Sequence, residues 1–258
     1  MKNVLFWVYV LVAIIIIALG YNFWENRVTG ANPEEKNIST QQSDEKSKEK
    51  KETSDTKSET KDEANENLFK NKTFQKVYTD AVKDKEQMNI TIVNTPYQTS
   101  NNNSSVKDEL EKNIDKKIKL NELEVANESS TIDFDKINKT KPNLIILDAL
   151  TLNDYFGNVS VDEHNAAIEK LYKDAKKNKT QIIIVGTRPE YDDADFKTYQ
   201  QAESKYFSNE NNDFYYVDQA NQWPNDKSIE KYYDIKDGLL TDKGVEQWVQ
   251  SINKYLFK

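Results

Sequence analysis

"NLIILDALTLNDY", residues 143–155, decides the fold. Its first half is a continuous apolar run, not an alternating one. Continuous hydrophobicity over so short a length suits a strand buried on both faces, as in a parallel sheet covered by helices on either side. Its second half turns polar at once. Asn153 and Asp154 follow the strand directly, at the end of an open α/β sheet where ligands bind.

Outward from this stretch the pattern repeats. "MNITIVN" (88–94), "QIIIVG" (181–186) and "FYYVD" (214–218) are further short β-rich runs, and "KIKLNELEV" (117–125) is a weaker fifth. Helical patterns separate them. Ser160 and Glu163 form a capping box, followed by an apolar face of Ile168, Leu171, Tyr172 and Ala175. Phe196, Tyr199, Ala202 and Tyr206 mark a second helix, and Val245, Trp248, Val249, Ile252 and Leu256 a last one. Phe69, Phe74, Val77 and Val82 open the folded part at helical intervals. Strand–helix alternation of this kind predicts one three-layer α/β/α domain around a mainly parallel five-stranded sheet.

The chain has 258 residues, and its first 66 are not of this kind. Val4–Gly20 is an uninterrupted apolar or aromatic run. Extended to Trp24 it is long enough to cross a ~30 Å hydrocarbon core at about 1.5 Å per residue. It is long for a signal peptide, and no Ala-x-Ala site follows it. Residues 1–24 therefore read as an uncleaved membrane anchor. Lys2 and the amino terminus favour a cytoplasmic N-terminus, which would put the rest of the chain outside the cell membrane in a single-pass arrangement. Residues 25–66 alternate Lys with Glu, Asp, Ser and Thr and have almost no large apolar side chains, the composition of a disordered linker. As a flexible coil the tract would span on the order of 35 Å. Residues 67–258 are the expected domain.

Composition excludes several functions. A formal charge of −8 argues against nucleic-acid binding. The absence of Cys removes disulfides, thiolate catalysis, Cys-type zinc sites and a lipidated Cys anchor. The single His, His164, lies near a helix start and reads as a solvated residue. No nucleotide, flavin or metal signature is present, so neither a cofactor nor a metal is expected.

Four loops lie where a ligand would sit: "NTPYQTS" (94–100), "LTLNDYFGN" (150–158), "TRPEYDD" (187–193) and "DGLL" (237–240). An Asn153 amide can donate to a developing oxyanion or simply begin an Asx turn. Arg188 can hold an anion or pair with Glu190 or Asp192. Trp223, Tyr232 and Tyr233 form an aromatic rim that can stack on a sugar or cover the sheet edge. Asp237-Gly238 reads as a tight turn, with Thr241 capping the helix that follows. The candidate pocket is Asn94, Thr95, Asn153, Asp154, Arg188 and Asp237.

Three stretches, "KPNLIILDALTLNDY", "ADFKTYQQAESKYFSNENNDFYYVDQANQWP" and "KDGLLTDKGVEQWVQSI", resemble in order and wording the SGNH/GDSL hydrolase family. The form they resemble is the anchored or secreted one of Gram-positive bacteria. The resemblance covers about residues 89–256 and implies the flavodoxin-like fold of that family, with ester hydrolysis or acyl transfer as its chemistry. In the family a Ser in a Gly-Asp-Ser block attacks, a Gly and an Asn complete the oxyanion hole, and an Asp-x-x-His block supplies the base. Here the nucleophile block falls on Asn94, Thr95 and Pro96, with no Ser at the nucleophile position. The region of the Gly block, "NELEVANESS", has no Gly. Asn153 remains. Asp237 remains, but Leu240 stands where the His belongs. The resemblance thus implies a hydrolase-like frame with degenerate catalytic blocks. Such a domain would bind a cell-wall glycan, an acylated polymer or a membrane-protein partner. The alternative is an active esterase or acyltransferase with a rearranged site built on Thr95 or a loop Ser such as Ser100, Ser104 or Ser105.

Overall fold

The computed structural model describes residues 64–96, 100 and 104–258; the expected anchor and nearly all of the expected linker lie outside them. Among the described residues no helix is long and apolar enough to cross a membrane.

Five strands form one sheet: β1 (Met88–Asn94), β2 (Ile118–Glu124), β3 (Leu144–Asp148), β4 (Gln181–Val185) and β5 (Tyr215–Val217). Their order is β2-β1-β3-β4-β5, and every neighbouring pair is parallel. All five expected strands are present. Parallel pairing sends every crossover through a helix, so all C-terminal strand ends emerge on one edge.

The continuous apolar run of β3 is explained by the two cores. Leu144 and Ile146 face one side; Ile145 and Leu147 face the other. On the first side the sheet is covered by α1 (Lys72–Lys83), α2 (Val106–Glu111) and α7 (Asp242–Leu256). Phe74, Tyr78, Leu110, Trp248 and Ile252 fill that layer. On the second side lie α3 (Phe134–Lys139) and α5 (Val161–Lys177), with the end of α6 (Ala194–Phe207). Ile137, Ile168, Leu171, Tyr172, Ala175 and Phe207 pack there. The short α4 (Thr151–Phe156) follows β3 directly. Each large apolar side chain removed from water contributes about 1.5–3 kcal/mol, and strands loaded on both faces collect that gain twice.

The faces expected for α5 and α7 are the buried ones. The face of α6 is rotated from the expected one. Phe196, Gln200, Glu203 and Phe207 are buried, whereas Tyr199, Ala202 and Tyr206 are only half-buried. An apolar period cannot reveal a face on which two of four positions are polar.

Caps set the helix starts. Ser105 and Asp108 form a capping box at α2, Ser160 and Glu163 another at α5. Thr241 accepts from Gly244 N at the start of α7. Gly244 permits a close approach there, because a Cβ on it would fall 2.0 Å from the backbone oxygen of Tyr232. Ala is favoured over Gly in a helix by about 1 kcal/mol, yet overpacking costs roughly 1–3 kcal/mol. The backbone neighbour cannot rotate aside, so the clash wins. Gly244→Ala is expected to lower the melting temperature by a few degrees, checked by thermal unfolding followed by circular dichroism; an unchanged or raised value would contradict this packing.

Candidate functional site

The residues of the candidate pocket come from the C-terminal ends of β1, β3 and β4 and from the turn before α7. The structure divides them into three groups. In the first, Asn94 and Thr95 end β1. The Asn94 amide donates to Glu122 Oε1 at 2.9 Å. Burial raises the pKa of Glu122, an effect that the Asn94 hydrogen bond opposes. Thr95 Oγ1 donates to Asn153 Oδ1 at 2.7 Å, and Thr95 N approaches Asp148 Oδ2 at 3.4 Å. The Asn153 amide nitrogen donates to the carbonyl oxygens of Asn127 at 2.9 Å and Val125 at 3.4 Å. Both ends of that amide are therefore engaged within the protein. Asn153 does not begin an Asx turn; it lies within α4, whose entry residue Leu150 has a positive φ of 58°. A left-handed conformation at a non-Gly residue stores about 1–3 kcal/mol and persists only where the surroundings enforce it.

The second group surrounds Asp154. Asp154 Oδ1 accepts from Ser129 N at 2.7 Å. Its Oδ2 accepts from Ser129 Oγ at 2.5 Å and lies 2.6 Å from His164 Nδ1. On the other side of the imidazole, Nε2 is 3.5 Å from Glu203 Oε2, an ion-pair contact rather than a hydrogen bond. Glu203 in turn accepts from Thr151 Oγ1 at 2.6 Å and from the Tyr216 hydroxyl at 3.0 Å. His164, Asp154 and Glu203 are all 0% exposed. This corrects the expectation of a solvated His164. Neither Ser129 nor Glu203 carried a sequence signal; both are recruited by tertiary packing. Ser, His and Asp meet here without the wiring of a catalytic group, because the serine hydroxyl bonds the carboxylate and not the imidazole.

The third group joins the loop after β4 to the turn before α7. Arg188 is buried and stacks on Tyr233, with the guanidinium carbon 3.6 Å from the ring centre. Its Nη1 donates to Glu190 Oε1 at 2.6 Å and its Nη2 to Gly238 O at 3.2 Å. Tyr233 donates to Glu190 Oε2 at 3.1 Å. Of the two readings of Arg188, the structure takes the ion pair with Glu190. Gly238 has φ 74°, as the expected turn requires. Asp237 is exposed and accepts from Leu239 N at 3.0 Å. Leu240 is buried in the core with Trp248 and bridges to Ser100 and to Tyr233. Trp223 and Tyr233 are buried and Tyr232 is half-buried, so the expected aromatic rim is mostly a cover for the sheet edge. Ser100 donates to Asp242, and Ser105 caps α2.

Asn94, Thr95, Asn153, Asp154 and Arg188 are thus buried and bound to protein partners, and Asp237 stands apart at the surface. Pro96 provides no hydroxyl and Leu240 no base. Among the described residues no group of three His, Asp or Glu side chains is arranged to hold a metal ion.

No family model and no curated protein matches the chain. Solved structures do. A protein assigned to the G-D-S-L lipolytic family from Desulfitobacterium hafniense superposes with a TM-score of 0.53 at 12% identity, covering 66% of this chain and 100% of that one. A lipase/acylhydrolase from Enterococcus faecalis gives 0.51 at 12%, covering 66% and 97%. A psychrotrophic esterase from a Pseudoalteromonas species gives 0.50 at 10%, covering 66% and 96%. At such identities the likeness is one of fold: the domain has the SGNH/GDSL hydrolase fold.

The buried cluster has a measurable pH signature. Burial alone would lower the pKa of His164, but the hydrogen bond to Asp154 and the nearby charges of Glu203 and Asp154 outweigh it and raise the value to about 9. Burial holds the neighbouring Tyr199 and Tyr216 phenols well above their ordinary range. With one His and no Cys in the chain, no other side chain ordinarily titrates in this window. The folded state keeps a proton that the unfolded chain releases near pH 6.5. The resulting stability is complete below that pH and is lost as pH rises through about 9, on the order of 3 kcal/mol in all. Urea unfolding is expected to show a midpoint that falls between about pH 6.5 and 9 in the native chain and stays flat across that range in His164→Gln. A flat native profile would contradict the charged cluster.

Proposed function

We propose that this chain of SGNH/GDSL hydrolase fold is a single-pass membrane protein of a bacterial envelope, of the Gram-positive type. Residues 1–24 anchor it with a cytoplasmic N-terminus, residues 25–66 act as a spacer, and the domain of residues 67–258 lies outside the cell. The domain is catalytically degenerate. It binds a cell-wall glycan, an acylated polymer or a membrane-protein partner without turning it over.

One observation carries the loss of catalysis: the positions of nucleophile and base hold Pro96 and Leu240, and Leu240 is buried in the core. Acyl transfer needs a hydroxyl and a base within about 3 Å of one another. Thr95 has the nearest hydroxyl, but its hydrogen bond goes to Asn153, which has no basicity to lend. The anchor and the outward placement are supported by the apolar run of Val4–Gly20 and the charged tract after it. The fold itself supports a concave, ligand-sized surface at the C-terminal strand ends.

The purified chain is expected to release no acetate from a simple acetyl ester above a heat-inactivated control. Hydrolysis abolished by Asp237→Ala would overturn the reading in favour of an esterase or acyltransferase with a rearranged site. Placement is checked separately. Trypsin added to intact cells making the protein should cut the lysine-rich tract and release the folded domain; a domain that stays cell-associated and protected until lysis would overturn the outward orientation.

A further inference from the structure

Beyond the C-terminal ends of β4 and β5 the domain holds a cavity of about 640 Å³, within the ~300–1,000 Å³ usual for small-ligand sites. It lies between α6 and the segment that follows β5. None of Thr95, Pro96, Asn153, Asp237 or Leu240 lines it, so it is separate from the family's catalytic positions.

Its lining is rich in groups that both donate and accept. Gln200, Gln201 and Ser204 come from α6, and Asn221 and Asn225 from the facing segment. Gln200 is the informative one. It is 3% exposed, and its amide nitrogen is fixed by a 2.7 Å hydrogen bond to Thr187 O. Its Oε1 has no hydrogen-bond partner among the described residues and is not one of the sealed-off polar atoms. A glutamine so deeply set and held at one end presents its free acceptor to the cavity. Tyr191 also lines the cavity and leaves 42% of its surface in water.

Amides and hydroxyls suit a ligand whose own edge alternates donors and acceptors. An exposed phenol ring suits one with an apolar C–H face beside a polar rim. A sugar ring has both. The charges in the lining, two lysines against four carboxylates, give no net attraction for a polyanion. We propose that this groove binds a short neutral oligosaccharide, with Gln200 as the fixed polar contact on the floor and Tyr191 as the stacking surface. The proposal rests on the reading of the domain as a binding module and assigns that module's ligand class and place.

The test uses the full chain in detergent micelles. Isothermal titration calorimetry with a panel of neutral di- to tetrasaccharides, including maltotriose and triacetylchitotriose, is run beside linear polyphosphate. At least one saccharide is expected to bind. Its Kd should weaken tenfold or more in Tyr191→Ala and in Asn225→Ala, two exposed positions whose change leaves the circular dichroism spectrum intact, and hold in Lys76→Ala, an exposed position on α1 outside the groove. The groove is overturned if no saccharide of the panel binds, if polyphosphate alone binds, or if binding survives both groove variants. Ester turnover by the native chain would remove the non-catalytic reading and leave saccharide binding in the groove standing, so the two failures are separable.

Discussion

A buried imidazole between two carboxyl groups holds the C-terminal strand ends of this domain together. His164 comes from α5, Asp154 from α4 and Glu203 from α6. Through Ser129 the cluster reaches the loop after β2, and through Tyr216 it reaches β5. Five segments distant in sequence meet at one buried charge. Three hydroxyl donors and a backbone N–H bond the two carboxyl groups. Such a cluster is costly to desolvate, and removing one member strands the others, at about 3–5 kcal/mol. Its value is therefore positional. It fixes α4 against α5 and α6, and Asn153 sits one residue before Asp154 on that same short helix.

The consequence appears at the residues of the candidate pocket. An active acyl-transfer site keeps polar groups poised, with lone pairs and protons available to a substrate. In this domain most polar groups of the candidate pocket bond within the protein. Asn153 uses both ends of its amide on Thr95, Asn127 and Val125. Arg188 is divided between Glu190, Gly238 and the face of Tyr233. Leu240 joins the core that contains Trp248. Burying that leucine contributes about 1.5–3 kcal/mol. Each of these contacts ties a loop at the C-terminal strand ends to the body of the domain.

What could be seen in the sequence follows from the same physics. β3 and β4 were legible because burial on both faces writes a nearly continuous apolar run; β2, an edge strand with exposed and half-buried polar positions, wrote a weaker one. The faces of α5 and α7 were legible because their buried positions are mainly apolar. The turn at Asp237-Gly238 and the caps at Ser160 and Thr241 were legible because they are local. The buried face of α6 was not, since Gln200 and Glu203 occupy it. Nor was the burial of His164, whose partners Asp154 and Glu203 are brought to it by the packing of separate helices. Trp223 and Tyr233 read as rim residues because loop sequences say nothing about which way a ring folds back; one is sealed by its bond to Gln219, the other by Arg188. Of the candidate pocket, Thr95 and Asn153 do meet, at 2.7 Å. Asp154 turns instead to Ser129 and His164, and Asp237 stays in water.

Sheet order explains why a groove opens beyond β4 and β5. β1 and β3 are central, and their C-terminal ends are sealed by Thr95, Asp148 and Asn153. β5 is an edge strand of only three residues. The chain leaves it early and continues through two short 3-10 turns, Ala220–Gln222 and Lys227–Lys231, pinned by Trp223 and Ile229 in the core. A longer strand would carry this segment onward in the plane of the sheet. By leaving after three residues, it stands opposite α6 and forms a second wall. The polar residues that hid the buried face of α6 then acquire separate roles. Glu203 completes the charge cluster on the inner side, while Gln200, one helical turn earlier, opens on the groove. The helix that helps fix the buried charge cluster is therefore also the helix that shapes the open surface beside it.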